Sequence, residues 1–336
     1  MREVPEGQPI PPAGPAPAPP AVPFSASRTP LVQWLLSPIA LIPLLLVAFV
    51  AIFLLWKSQL VWFGPSFFGI NYFFDPTGLQ PNQFGVTLFV VDSLIVALPA
   101  LAIAAGLSLA MAVSIVVYLP PMPGRVLTIL TNLLAGIPSV VYGIWGYVVL
   151  APYFGSTVQP AIFGFLGWIP GLGGPLSPGG VGSLLAIFIL IFMIVPITTA
   201  VMRESLRSVP HDLVEAGLAL GATQWEVMRR IRLRVARRGL WGAAFLGLGR
   251  AIGESVAVAM VIGASVWIPP NVYAPSTTLA SFIFYQLDSS FYYPVLLQAL
   301  IEFSLVLLGL AVLLNLIGQR ASGLGTTVVV TGGNGP

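Results

Sequence analysis

The feature that most constrains this chain is a series of six long apolar stretches. Each has 18 residues or more, which at 1.5 Å of rise per residue is enough for a helix to cross a hydrocarbon core of about 30 Å. None shows the short alternating pattern that is typical of membrane-spanning strands. The pattern therefore predicts an all-α transmembrane fold with six spans. They cover residues 39–56, 87–117, 126–150, 181–202, 240–267 and 295–317.

Composition narrows the classes of function. Charged residues make up only 7% of the chain, against about 25% in soluble domains, so the main solvent is expected to be lipid. Cysteine is absent and there is one histidine, which excludes disulfides, thiolate catalysis and Cys-ligated metals. No phosphate-binding G-x-x-x-x-G-K-[ST] motif occurs. We expect no enzyme activity, no cofactor and no metal in this chain, and any ATP hydrolysis must belong to another chain.

The distribution of basic residues predicts the orientation in the membrane. Twelve of the 14 Lys and Arg residues fall in connections that would share one side, and eight of these lie between Arg203 and Arg238. The exceptions are Lys57 and Arg250. By the positive-inside rule, both termini are expected to be cytoplasmic. The rule also explains the basic run more simply than nucleic-acid binding does. The loops expected on the outer side are 58–86, 151–180 and 268–294.

The connection at 203–239 carries helix signals of its own. Pro210 suits the first position of a short helix, and Gly221 suits its end. Thr223 and Glu226 have the spacing of a capping box, which marks the start of a second, basic helix. The short helix is rich in small residues, so another surface can approach it closely. From the residues alone, it is either an interfacial helix on lipid headgroups or a docking helix for a soluble partner.

The fifth stretch contains a charged pair. Arg250 lies ten residues in, at a depth of about 15 Å, where a lone Arg costs at least about 2.5–3.5 kcal/mol. Glu254 follows four residues later, so both side chains are expected on one helix face. One interpretation is a buried ion pair that holds two spans together. The other is a transient relay for an anion, because a guanidinium fits two phosphate oxygens and keeps its charge.

Other polar residues in the spans have two interpretations each. Glu302 either shares a cavity with Glu254 and Arg250 or pairs locally near the interface, and Asp92 is expected at an interface. Pro138 and Pro196 each remove a backbone donor and are expected to kink their helices, either for shape or as hinges.

Small residues at helical spacing and the single histidine have simpler interpretations. The pairs Gly249/Gly253 and Ala243/Gly247 have a spacing that permits close helix packing. His211 is expected to be a solvated residue at a helix start rather than a metal ligand.

Two motifs resemble known families. Residues 215–223 (EAGLALGAT), with Trp225 and Ile231, resemble the EAA loop of ABC importer permeases, which is a coupling helix that sits in a groove of the cytoplasmic ATPase. Gly217 replaces the usual second Ala, and Arg234 stands where the family usually has Pro. The resemblance implies that the ATPase-coupling residues are Glu215, Ala216, Gly217, Leu220, Gly221 and Ala222.

The second resemblance narrows the family. Residues 133–146 (LLAGIPSVVYGIWG) and 246–254 (LGLGRAIGE) are similar to motifs of phosphate-importer permeases, closer to the PstC type than to the PstA type. It implies a type I, MetI-like six-helix bundle that moves inorganic phosphate across the cell membrane, with Arg250, Glu254 and Glu302 on the substrate path. The implied partners are a PstA-like second permease subunit, a PstB-like ATPase dimer and an extracytoplasmic PstS-like phosphate-binding protein.

The sequence leaves other functions open. The alternatives are a permease for sulfate or molybdate, an intramembrane enzyme acting on lipid through Glu254 or Glu302, and a passive anion channel.

The chain is expected to divide into four parts. They are a disordered Pro-rich cytoplasmic tail at 1–30, a first helix and outer loop at 31–86, a permease core at 87–318 with five transmembrane helices, and a flexible cytoplasmic tail at 319–336.

Overall fold

The computed structural model describes residues 30–58, 67–75, 77 and 82–322, with side chains described from residue 41 to residue 320 within those ranges. The predicted tails at 1–30 and 319–336 lie outside the described residues apart from their helical edges. The elements are α1 (Pro30–Ser58), β1 (Tyr72–Phe73), β2 (Gln83–Phe84), α2 (Val86–Val113), α3 (Pro121–Ala135), α4 (Ser139–Leu166), α5 (Ser183–Arg207), α6 (His211–Ala219), α7 (Gln224–Gly253), α8 (Val256–Ile262), α9 (Leu279–Ser290) and α10 (Pro294–Ser322).

The predicted all-α transmembrane class is confirmed. Five helices of the described chain are long and apolar enough to cross a membrane, namely part of α1 and the helices α2, α4, α5 and α10. A sixth span is formed by α7 and α8 together, which are bent by 63° at a short break. The short strands β1 and β2 form an antiparallel pair in the connection that precedes α2.

The third span differs from its prediction. The expected continuous helix at 126–150 is two helices, because α3 ends at Ala135 and α4 begins at Ser139. Pro138 lies immediately before α4 with an extended ψ of 142°, so it separates two helices instead of kinking one. Pro196 does lie inside a helix, α5. The connection after α4 is also shorter than the predicted 151–180, since α4 continues to Leu166.

The fifth span is also interrupted. The prediction of one helix over 240–267 is wrong, because α7 ends at Gly253 and the backbone at Glu254 is extended, with ψ 115°. The helix resumes only at Val256. Arg250 and Glu254 therefore do not share a helix face, since the helical period that would align them stops between them. At its other end α7 starts at Gln224, directly after Thr223, as the capping box predicted, and the basic helix continues into the fifth span.

The core lies between α2, α5 and α7. A Cβ added at Gly247 would come within 2.7 Å of Thr198 and 2.8 Å of Ile194. The side chains of α5 therefore pack directly against the backbone of α7. This contact confirms that the Ala243/Gly247 pair serves close packing, since Ala243 is also fully buried. A Cβ added at Gly253 of the other small pair would meet nothing within 4 Å among the residues that the structure describes.

Asp92 is buried rather than interfacial. Its side chain is 0% exposed, and its Oδ2 accepts a hydrogen bond of 3.3 Å from the Thr277 N–H. The next residue, Ser93, accepts one of 2.9 Å from the Leu279 N–H. The two neighbours thus hold the start of α9 against α2. Hydropathy along one helix could not reveal this, because the partners lie about 185 residues away in the chain.

Candidate substrate path and coupling surface

Arg250 lies on the exposed side of the last turn of α7. Leu246 and Gly253, one turn before and almost one turn after, are exposed as well. In the described part of the chain, Arg230–Glu226 at 3.8 Å is the one ion pair within 4 Å, so Arg250 has no carboxylate at that distance. Arg250 lies twelve residues, or about 18 Å, beyond Arg238 along the helix. The guanidinium is therefore deep within the span and available to a ligand or to a partner chain.

The two helix breaks lie beside each other. The helix α4 packs on α8 through Gly143, where an added Cβ would be 3.1 Å from Cα of Ala257 and 2.6 Å from the sulfur of Met260. Both helices begin at a break, at Ser139 and at Val256. Their N-termini carry partial positive charge. The Glu254 carboxylate caps the start of α8, so only the start of α4 adds to the positive character of the region around Arg250.

Tyr142 connects these features. Its hydroxyl donates a hydrogen bond of 3.0 Å to the Leu134 carbonyl, which spans the break between α3 and α4. It is also close enough to Arg250 for an electrostatic interaction. Sequence reasoning missed this residue, although it lies one turn after Pro138 in a span where a hydroxyl needs a partner. Tyr142 thus holds the break between α3 and α4 together in the region of Arg250.

Glu254 and Glu302 have different surroundings. Glu254 is half-buried at the break, and its Oε1 accepts a hydrogen bond of 3.4 Å from the Ala257 N–H in the first turn of α8. A carboxylate there stabilises the helix start. Glu302 is 0% exposed and neighbours Phe303, which belongs to a buried cluster with Phe89 and Phe282. In this chain, Arg250 and Glu254 are the more accessible of the three predicted path residues.

The short helix in the 203–239 connection forms as predicted. It covers His211–Ala219, with Pro210 immediately before it rather than as its first residue. Gly221 follows with a φ of +84°, a conformation that favours glycine. The capping box is complete, since the Glu226 N–H donates to Thr223 Oγ1 and the Thr223 N–H donates to Glu226 Oε2. We call residues 211–222 the coupling segment.

The coupling segment presents an apolar tip. Leu220 is 89% exposed, and Leu213, Leu218 and Trp225 are exposed too. A single exposed Leu needs no explanation, but a group at the end of a short helix indicates an interaction surface. Glu215, Ala216 and Gly221 of the predicted coupling residues are exposed, and Ala222 is half-buried.

Gly217 faces the opposite way. It is buried, and an added Cβ would be 2.7 Å from Cδ1 of Ile231 and 3.2 Å from Cγ2 of Val227. The replacement of the family's Ala by Gly therefore lets the coupling segment pack tightly against α7. Of the six residues that the resemblance implies for ATPase coupling, Gly217 therefore packs inside this chain and is not part of the outer surface.

Replacing Gly217 by Val should destabilise the protein, because the larger side chain overlaps Ile231 and Val227. Overpacking of this kind costs about 1–3 kcal/mol. Thermal unfolding of the purified protein in detergent would measure the loss. The matched control is Ala216→Val, which changes the exposed neighbouring position. Equal melting temperatures for both variants would contradict the packing role.

The single histidine lies on the short helix of the 203–239 connection. His211 is exposed at the first position of its helix, as expected. Within the described residues there is no group of three or more His, Cys, Asp or Glu side chains that could hold a metal ion.

A bundle of membrane-spanning helices with a broken span and a deep, exposed Arg is the architecture expected of a transport protein. The chain belongs to the family of binding-protein-dependent transport system inner membrane components, whose sequence profile matches residues 102–323. It is therefore a multi-pass inner-membrane protein.

Comparison with individual proteins agrees with this assignment. The chain is 39% identical over 223 residues to the phosphate transport system permease protein PstC of Haemophilus influenzae, covering 66% of this chain and 70% of that protein. Its fold is similar to the MetNI methionine ABC transporter (TM-score 0.53, 20% identity, 72% of this chain and 96% of that one). It is also similar to a bacterial alginate ABC transporter (TM-score 0.57, 16% identity, 89% and 97%). The MetI-like fold is thus confirmed.

Proposed function

We propose that this chain is the permease subunit of an ABC importer that moves inorganic phosphate into the cell. The observation that carries the proposal is Arg250, an exposed guanidinium deep in a span, with no carboxylate within 4 Å in the described part of the chain. The similarity to PstC of Haemophilus influenzae supports phosphate as the anion.

The chemistry of Arg250 suits a transient phosphate site. A guanidinium offers two parallel N–H donors to two phosphate oxygens and remains charged at all relevant pH values. The helix N-terminus at Ser139 favours an anion as well. Glu254 lies at the break between α7 and α8, and its second oxygen can accept a hydrogen bond from a protonated phosphate oxygen. Fully deprotonated sulfate has no proton to donate there, which gives a basis for selectivity.

The exposed surfaces suit an assembly of several chains. The apolar tip of the coupling segment fits the groove of a PstB-like cytoplasmic ATPase, two copies of which supply the ATP hydrolysis. A PstA-like second permease subunit covers the face that bears Arg250, so that the path runs between the two. An extracytoplasmic PstS-like protein delivers phosphate from the outer side. In this arrangement both termini of the chain are cytoplasmic, and ATPase closure moves residues 211–222.

Reconstitution tests the proposal directly. Vesicles are prepared with the complete assembly so that the ATPase faces the lumen. They should accumulate labelled phosphate only when ATP is inside the vesicle and the binding protein is outside. Excess unlabelled phosphate should compete, whereas sulfate and molybdate should not. Competition by either oxyanion would assign a different substrate. Flux without ATP would indicate a passive channel, and lipid conversion by the isolated chain would indicate an enzyme.

A further inference from the structure

A groove lies between α5, α7 and α10 at one end of the bundle. Its volume is about 320 Å³. The helices press together beside it, since an added Cβ at Gly239 would overlap Ser205 and one at Gly318 would overlap Phe245. The groove is the space that remains between these contacts. It is lined by Val201, Ser205, Arg238, Gly239, Gly242, Phe245, Leu246, Asn315, Gly318 and Gln319.

The groove is charged at one end and mostly apolar further in. The helices α5 and α10 run toward this end of the bundle, while α7 runs away from it, as the contacts Gly239–Ser205 and Gly247–Thr198 show. Ser205 and Arg238 therefore lie at the mouth of the groove, where the basic part of α7 ends, whereas Gln319 is level with Phe245, as the Gly318–Phe245 contact shows. Val201, Phe245 and Leu246 lie deeper along the same helices. An occupant must accordingly be amphipathic.

The charge at the mouth is positive. Arg238 is exposed and is the last basic residue before the apolar part of α7, with Arg234 and Arg237 in the preceding turn. No carboxylate lies within 4 Å of Arg238 among the residues that the structure describes. The planar guanidinium prefers an anion with two oxygens in a fork, such as a phosphate ester. Basic pockets between membrane helices suit acidic lipid headgroups for the same reason.

We propose that this groove binds an anionic phospholipid, with part of one acyl chain along Phe245 and Leu246 and the phosphate paired with Arg238. The volume is at the lower end of the range of about 300–1,000 Å³ for small-molecule pockets, so it accepts a segment of one chain and not a whole lipid. The position of Arg238 at the level of the headgroups places the phosphate where a lipid carries it. The proposal does not depend on which substrate is transported.

Native mass spectrometry of the delipidated complete complex would test this site. After incubation with phosphatidylglycerol or phosphatidylcholine, the complex should retain phosphatidylglycerol about tenfold more strongly. Arg238→Gln should remove that preference, and Gly242→Leu, which fills the groove, should lower retention of both lipids. Arg237→Gln is the matched control, because it removes a neighbouring exposed charge that does not line the groove.

Several results would overturn the proposal. Equal retention of both lipids would show that charge plays no part, and equal losses in Arg237→Gln and Arg238→Gln would show only general surface attraction. Displacement of phosphatidylglycerol by inorganic phosphate would assign Arg238 to the free anion. Retention by the isolated chain but not by the complete complex would mean that a protein surface covers the groove. The comparison of the two exposed Arg variants remains valid even if Gly242→Leu does not fold.

Discussion

Phosphate uptake should fall at least tenfold when Arg250 is replaced by Gln, with the amount of protein in the membrane unchanged. Gln keeps a hydrogen-bond donor but removes the charge that attracts the anion. Hydrogen bonds to charged groups contribute about 1.5–3 kcal/mol, which corresponds to about a 10-fold to 100-fold change in rate. Uptake of labelled phosphate by reconstituted vesicles, at matched protein content, is the measurement.

Two further variants separate charge from structure. Arg250→Lys keeps the charge without the planar fork, so its uptake should lie between those of the wild type and the Gln variant. Arg320→Gln removes an exposed Arg at the end of α10 and should leave uptake unchanged. Full uptake by the Gln variant would remove Arg250 from the substrate path and favour the structural interpretation. The structural interpretation requires a carboxylate that pairs with Arg250. Glu254 does not serve as that carboxylate in this structure, because the helix break turns it toward the start of α8.

The coupling segment was predictable because its signals are local. Pro210, Gly221 and the Thr223–Glu226 pair each act on backbone groups within a few residues, and the structure confirms the helix end and the capping box. The six spans were predictable for a related reason, since lipid requires long apolar helices whatever their packing. Both inferences need no knowledge of contacts between distant parts of the chain.

The breaks in the third and fifth spans depend on such contacts. The interruption at Pro138 had a local signal, but a Pro within an apolar run is equally compatible with a kink. The interruption at Glu254 has no Pro at all. It lets α8 turn by 63° and pack on α4 at Gly143, and this packing gain can be seen only in the folded protein. For the same reason sequence reasoning missed Tyr142 and placed Asp92 at an interface.

Replacing Leu220 by Asp should reduce binding of the ATPase at least tenfold and bring phosphate uptake close to background. Leu220 is 89% exposed at the tip of the coupling segment, and burying a Leu side chain contributes about 1.5–3 kcal/mol. A factor of ten needs only about 1.4 kcal/mol, and the variant also places an unpaired carboxylate in the interface. Co-purification of the ATPase with the permease in mild detergent measures the first effect, and vesicle uptake measures the second.

The matched control is Trp168→Ser, which removes a side chain that is 80% exposed in the segment after α4. This variant lowers the exposed apolar area without altering the coupling segment, so the ATPase should co-purify as in the wild type. Leu220 makes the test specific because it is too exposed to support the fold, and its replacement should leave the melting temperature of the permease unchanged. Normal ATPase binding by Leu220→Asp would leave the segment as an interfacial helix on lipid headgroups. Transport would then have to be driven through another surface of the chain.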